Sequence, residues 1–408
     1  MNTKHARDGR LFYFDGLRFL LVAGVVLLHA ACGYSRFVPW WFLTDGDSAG
    51  ADLILAVLDV FLMPLLFFIA GYFAPLSLAG KGAAGFLKSK ARRLLIPFWL
   101  LTLFYLPILP YLSHTVRGER IESFFAYWLR SLAALGDFHP HLMTSLEDAG
   151  RFQDVLSPHL LWFLSLLFLF FAGYAAVAGL GKGKARPDRA PGVKGFWTVW
   201  ISGAILMSLA MAALASSMPV MTWFKWNAVL LVQPVRAPLY LGMFALGVVS
   251  ASRGWLRERP FPGPSWLWLT GAVLSLAGVL AVSGGVQALA HPGAELVAAY
   301  AVFRVLANIC LIVWCCNVFR RRLNRPTRLG GFLAAGSYDV YLLHMPLTVF
   351  VEILLMGAPL SPVVKLSLAF ILAVSASLCL SAALVRPRPK LALALLLAFF
   401  LSLCLFAG

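Results

Sequence analysis

Arg18 and His29 lie inside the first long apolar stretch, Leu11 to Ala31. Charged groups at membrane depth are rare, and the default reading is a functional site facing the protein interior or a wet cavity. At helical pitch their spacing returns both side chains to nearly one face, roughly 16 Å apart along the axis. Arginine stays charged and offers a planar fork to phosphate or carbonyl oxygen. Histidine titrates near neutrality, so it can take a proton from a hydroxyl and give it back. The plainer alternative has Arg18 reaching the inner headgroups and His29 resting at the outer interface.

Four further groups carry chemistry. Asp59 sits in the second apolar run at the depth of His29, where a carboxylate either orients an imidazole or partners a buried arginine such as Arg304. Lys88, Lys90, Arg92 and Arg93 follow that run; they read as membrane anchors or as the first contacts of a phosphate-rich ligand. His159 and Trp162 open the fourth run, as interfacial anchors or as a place to hold a sugar. Tyr341 and His344 share a face near mid-membrane, with Glu352 two turns further out. His139-Pro-His141 resembles a metal pair only superficially, and no ligand set completes it.

The elements that position these residues are legible from composition. A 408-residue chain that is 61% hydrophobic and only 12% charged could not hide its apolar surface as a soluble protein. The class is an all-α, polytopic transmembrane helix bundle. Apolar runs long enough to span fall at about 11–31, 53–74, 94–112, 158–179, 197–216, 235–251, 266–284, 296–318, 332–356, 363–385 and 391–408. Lys and Arg crowd alternate loops, as in Lys81 to Arg93, Lys182 to Lys194 and Arg320 to Arg328, and are sparse in the loops between. By the positive-inside rule the N-terminus is cytoplasmic, and this explains the formal charge of +17 without nucleic acid.

Within that frame Arg18 lies toward the inner leaflet and His29 toward the outer. The longest outer loop, about 113–157, holds Glu119, Glu122, Asp137, Glu147, Asp148 and Asp154, and a stretch from Ile121 to Leu135 with aromatic residues at helical spacing. A Gly-Lys-Gly-Lys stretch from Gly181 reads as a cytoplasmic linker. The six cysteines lie in or beside apolar runs and suit helix packing. The first run mimics a signal peptide, but Asp15, Arg18 and His29 make it a retained helix.

Taken in order, these motifs resemble acyltransferase family 3, integral membrane enzymes that include sugar O-acetylases and glucan succinyltransferases. Arg18 and His29 match its first-helix signature, Phe67-Phe68 with Gly71-Tyr72 its second, and Arg92-Arg93 its basic motif. His159 with Trp162-Phe163-Leu164, and Ser337-Tyr338 with Tyr341-Leu-Leu-His344, match later ones. The likeness covers roughly residues 10–350 and extends to the tenth span. Two departures stand out: Ala70-Gly71 replaces the usual Ser-Gly, and 391–408 adds a helix to a core of ten.

The resemblance implies a cytosolic acyl-CoA donor, acetyl-CoA foremost, and an extracytoplasmic or lipid-linked carbohydrate acceptor. It implies residence in a bacterial cytoplasmic (inner) membrane beside lipid and polysaccharide-biosynthesis proteins, with no nucleic acid and no metal. Residues 1–385 are then the acyltransferase domain and 386–408 an additional helix. Arg18, Arg92 and Arg93 would hold the donor, with Tyr341 and His344 lining its channel or hydrogen-bonding the thioester carbonyl. His29 would act as base, with Asp59 as its orienter; His159, Trp162 and Glu352 would face the acceptor. The rival reading is a transporter or flippase of an acylated or polyprenyl-linked glycan, to which intramembrane charges and Pro-containing helices also suit. A catalytically silent scaffold is a third.

Overall fold

The computed structural model describes residues 11–38, 41–119, 122–143, 156–180, 193–257, 259–288 and 292–407. The Gly181 linker, the basic residues before Leu11, and Glu147, Asp148 and Asp154 lie outside the described residues. Ten described helices are long and apolar enough to cross a membrane. In chain order α1 spans Phe12–Cys32, α2 Ala49–Phe104, α3 Ile108–Val116 and α4 Phe124–Ser131. Then come α5 Trp162–Leu180, α6 Val193–Ala215, α7 Ala237–Ser252, α8 Ser265–Ala288 and α9 Ala294–Leu323. The last three are α10 Arg328–Leu355, α11 Pro362–Leu380 and α12 Pro389–Phe406.

Helix α2 holds two of the expected spans, because its backbone leaves helical geometry at Gly82 (φ 66°, ψ 170°). Only glycine enters that region without strain. The two halves run in opposite directions. Phe14 of α1 packs on Tyr72 and Gly24 on Leu62, so the first half is antiparallel to α1. The Tyr338 hydroxyl donates to the Arg93 carbonyl and that of Tyr105 to Leu343, so the second half is parallel to α10. Helix α10 in turn runs parallel to α1, as the His29–His344 and Gly33–Glu352 contacts show. The expected hairpin is therefore present, with its helices extended up to the turn.

The middle of the bundle is built on aromatic residues and close backbone approach. Phe67 stacks on Tyr240 with ring centroids 5.3 Å apart and meets Phe163 at 4.7 Å. Gly71 and Gly247 face one another's helices: a Cβ on Gly71 would lie 2.1 Å from the Phe244 carbonyl oxygen, and one on Gly247 2.2 Å from that of Phe68. Without a hydrophobic drive between helices in lipid, small residues that let backbones meet supply the packing. Helices α1, α2, α7 and α9 are the most buried, followed by α5 and α10, while α12 is buried over only 6% of its apolar stretch and is peripheral.

The bundle has two unlike ends. One, the basic end, carries Lys81, Lys88, Arg92 and Arg93. At the far end a small antiparallel sheet joins β1 (Pro140–Met143), β2 (Trp223–Trp226) and β3 (Leu230–Val232), an addition to the all-helical expectation. The expected surface helix is α4, and it docks on α12: the Phe124 N–H donates to the Ala407 carbonyl at 2.8 Å, and Phe400 packs on Phe124 and Trp128.

Candidate active site

Residues 33–38 and 41–48 fold back over the end of α1 and are tied down on several sides. The Asp45 N–H donates to the Gly33 carbonyl at 3.0 Å, the Lys365 ammonium pairs with Asp45 at 2.7 Å, and an Arg117 Nη2 donates to the Trp41 carbonyl at 2.9 Å. This places the Trp41 ring nearly parallel to His29, with centroids 5.7 Å apart. The half-buried His29 is thus covered by an indole that three elements hold in position.

The partner of His29 is His344. Its Nε2 lies 2.8 Å from His29 Nδ1, with the rings nearly parallel and 5.1 Å between centroids. His344 Nδ1 lies 2.8 Å from the Tyr341 carbonyl and 3.2 Å from that of Val340. Carbonyls only accept, so Nδ1 of His344 carries its hydrogen, and in the neutral ring Nε2 is the acceptor. His29 Nδ1–H then donates, and the lone pair of His29 Nε2 is left to react. The buried ring positions and the half-buried ring is available.

Asp59, expected to orient His29, is held elsewhere. Its Oδ1 accepts from Arg236 Nη1 at 2.7 Å, and its Oδ2 and backbone carbonyl accept from Arg304 Nη2 at 3.1 and 2.6 Å. Two buried, permanently charged guanidinium groups hold the part-exposed carboxylate in preference to a titratable imidazole. The alternative of an arginine partner holds, with Arg236 as a second one. Asp59 and Glu352 both lie within electrostatic reach of Cys32, one turn beyond His29. Glu352 is buried against Gly33, where a Cβ would lie 3.1 Å from its Oε1, with the Trp41 indole within interacting range.

Three other expected site residues have structural partners. The Tyr341 hydroxyl donates to the Leu160 carbonyl at 2.9 Å, so it ties α10 to the turn before α5 and is not free to meet a thioester. His159 in that turn has φ 38°, a conformation uncommon for a residue with a Cβ, and its ring meets Phe42 at 6.3 Å. Trp162 packs among Tyr240, Trp223 and Phe67, which leaves its face less open to a sugar than the sequence suggested.

At the basic end an open cavity of about 440 Å³ is lined by Lys81, Gly85, Lys88, Ser89, Arg92 and Arg93. Lys81 Nζ donates to Ser89 Oγ at 2.8 Å across the α2 turn, and Arg93 lies 5.2 Å over the Tyr338 ring. Arg18 lies 5.9 Å over the Phe73 ring, with Asp15 at 3.8 Å. Lys90 is within electrostatic reach of Arg93, Lys81 and Arg18, so these cations share one positive field.

Outside the spans, His141 and His139 close on Asp137 at 2.6 and 3.1 Å. The His141 bond, foremost, holds the Asp137 carboxyl at about 2. Among the described residues no three His, Cys, Asp or Glu side chains group as metal ligands. Sequence reasoning did not find Trp41 or Arg236 as site residues. An arginine two residues before Pro238, at the mouth of a span with no acid of its own, was the available signal for Arg236.

An apolar helical bundle with an imidazole pair at one depth and a basic cavity at one end suits an integral membrane transferase. The family described as an acyltransferase domain, acyltransferase family 3, matches residues 11–386, and the chain belongs to it. The protein is thus a membrane acyltransferase. Comparison with curated proteins and with solved structures finds no match.

Proposed function

We propose that this acyltransferase moves an acyl group, acetyl foremost, from cytosolic acyl-CoA to a hydroxyl of an extracytoplasmic or lipid-linked carbohydrate. The bilayer is then a bacterial cytoplasmic membrane with the N-terminus inside, and the anionic phosphates of the donor meet the basic end. The single observation that carries this reading is the His29–His344 pair, which leaves one imidazole lone pair available at the far end of the helix that bears Arg18.

In this reading Arg92, Arg93, Lys81 and Lys88 take the donor's phosphates by charge-assisted hydrogen bonds, with Arg18 in the same field. The thioester arm extends from there toward His29. His29 Nε2 removes the acceptor hydroxyl proton as the oxygen attacks the thioester carbonyl carbon. A C–O bond forms, the C–S bond breaks, and the departing thiolate takes the proton back from His29. His344 Nε2 accepts from His29 Nδ1–H throughout and stabilises the imidazolium that forms in between.

Purified protein supplied with acyl-labelled acetyl-CoA and a soluble sugar tests the donor and acceptor classes. Label on the sugar with stoichiometric release of free thiol is the expected result. Vesicle-to-vesicle movement of a glycan lipid without thioester consumption would instead identify a flippase.

A further inference from the structure

The Asp59 cluster has one more positive charge than negative. Arg236 and Arg304 have side chains only 4% and 3% exposed, and Asp59 is the one carboxylate paired with them among the described residues. Arg304 Nη atoms meet three acceptors, the Asp59 carboxylate, the Asp59 carbonyl and, at 3.1 Å, the Tyr300 hydroxyl, while its Nε is buried without a partner. Arg236 has fewer. Its Nη1 binds Asp59, its Nε is buried without a partner, and its Nη2 meets the Met221 sulfur at 3.4 Å, with the Tyr240 hydroxyl also in hydrogen-bonding range of the guanidinium.

Nε and Nη2 together form the side edge of a guanidinium, the two parallel N–H groups that match both oxygens of a carboxylate or phosphate. A thioether is a weak acceptor and cannot compensate a buried cation. Met221 is 45% exposed, unbranched and flexible, so it is a cover that can swing out to bare this edge. Asp59 itself is 43% exposed while both arginines are buried, so the cluster opens onto accessible space and is not sealed inside the core.

We propose that the Nε–Nη2 edge of Arg236, uncovered when Met221 moves aside, binds an anionic substituent of the acceptor, a carboxylate or a phosphate. The inference rests on the acceptor being a carbohydrate, and it deepens that reading by naming an acidic one. Asp59 holds Arg236 in place through Nη1 and leaves the other edge for the ligand. The acceptor's charge then fixes which of its hydroxyls faces His29.

Glucose, glucuronate and glucose 1-phosphate, matched in size and differing in charge, are the probes. Thermal midpoint and acceptor KM are measured for the protein in lipid nanodiscs. At least one anionic probe should raise the midpoint and give a KM tenfold or more below that of glucose, and the two anions tell a carboxylate site from a phosphate site. Met221→Ala should lower KM for the preferred anion severalfold and leave glucose unaffected, and Arg236→Lys, which keeps the charge but loses the fork, should remove the preference. Equal KM values and midpoints for all three probes, unmoved by Met221→Ala, would overturn the proposal while leaving acyl transfer to sugars standing. A midpoint shift by an anion without any transfer would support the site and count against the carbohydrate-acyltransfer reading instead.

Discussion

His344 holds the ring of His29 from a position 315 residues further along the chain, through a 2.8 Å hydrogen bond between His29 Nδ1 and His344 Nε2. The direction of that bond is fixed one step back, where the backbone carbonyls of Tyr341 and Val340 can only accept from His344 Nδ1. Two carbonyls thus set the tautomer of a ring on another helix.

Replacing His344 should therefore slow turnover without raising KM for either substrate. His344→Phe removes the acceptor for His29 Nδ1–H and should lower kcat by about 10². His344→Gln, whose amide oxygen can accept, should recover a good part of that loss. Steady-state kinetics on the two variants checks the order.

The basic cavity acts on binding. Arg92 and Arg93 are exposed, so each contact is screened and individually modest. Arg92→Ala and Arg93→Ala should each raise KM for acyl-CoA by roughly 3- to 10-fold with kcat nearly unchanged. Rising salt should weaken wild-type donor binding more than that of the double variant.

Asp59 is predicted to be a stability residue as much as a site residue. Asp59→Asn leaves two buried guanidinium groups without a counter-charge and should cost about 3 kcal/mol, the low end for a broken buried pair because the carboxylate is itself part exposed. Adding Arg304→Met should restore part of the loss. Thermal unfolding in detergent measures both.

Gly71 and Gly247 set the distance between α2 and α7. A methyl group at Gly71 meets backbone oxygen, which cannot rotate away, so Gly71→Ala should destabilise by roughly 2–3 kcal/mol or prevent accumulation of folded protein. Fluorescence-detected size exclusion of Gly71→Ala beside Ala70→Ser separates the two positions; the serine variant should remain monodisperse.

Lys225 of β2 is buried, and burial, partly offset by the Asp137 charge, pushes its ammonium down to about 8. The unfolded chain then binds more protons than the folded one from about pH 8 to about pH 10.4, so stability rises with pH across that window. Lys225→Met should flatten the rise. Hydrogen exchange of residues 223–232 at pH values through this range reports it locally.

The spans and the shared face of Arg18 and His29 were readable because they are local, set by apolar run length and helical period. The small sheet was not, since its strands are short and pair residues 140–143 with 223–226 across a long separation. Gly82 sits in a Gly-Lys-Gly turn signal, yet the flanking helices run past the apolar segments because Leu78, Phe86 and Leu94 continue to pack. The site was half legible. Polar residues in apolar runs identify themselves by cost, but which of them meet depends on competition, and the fixed charges of Arg236 and Arg304 claimed the carboxylate that a neutral imidazole could not hold. His344 was visible as a residue and its pairing with His29 was not.

The most direct measurement is the single-turnover rate of acyl transfer from acyl-CoA to sugar by purified His29→Gln protein, compared with wild type at equal occupancy. A fall of about 10²–10⁴ with an unchanged thermal midpoint is predicted, because the imidazole lone pair that the His29–His344 pair leaves available is gone. A rate within threefold of wild type would contradict the assignment of His29 as the base.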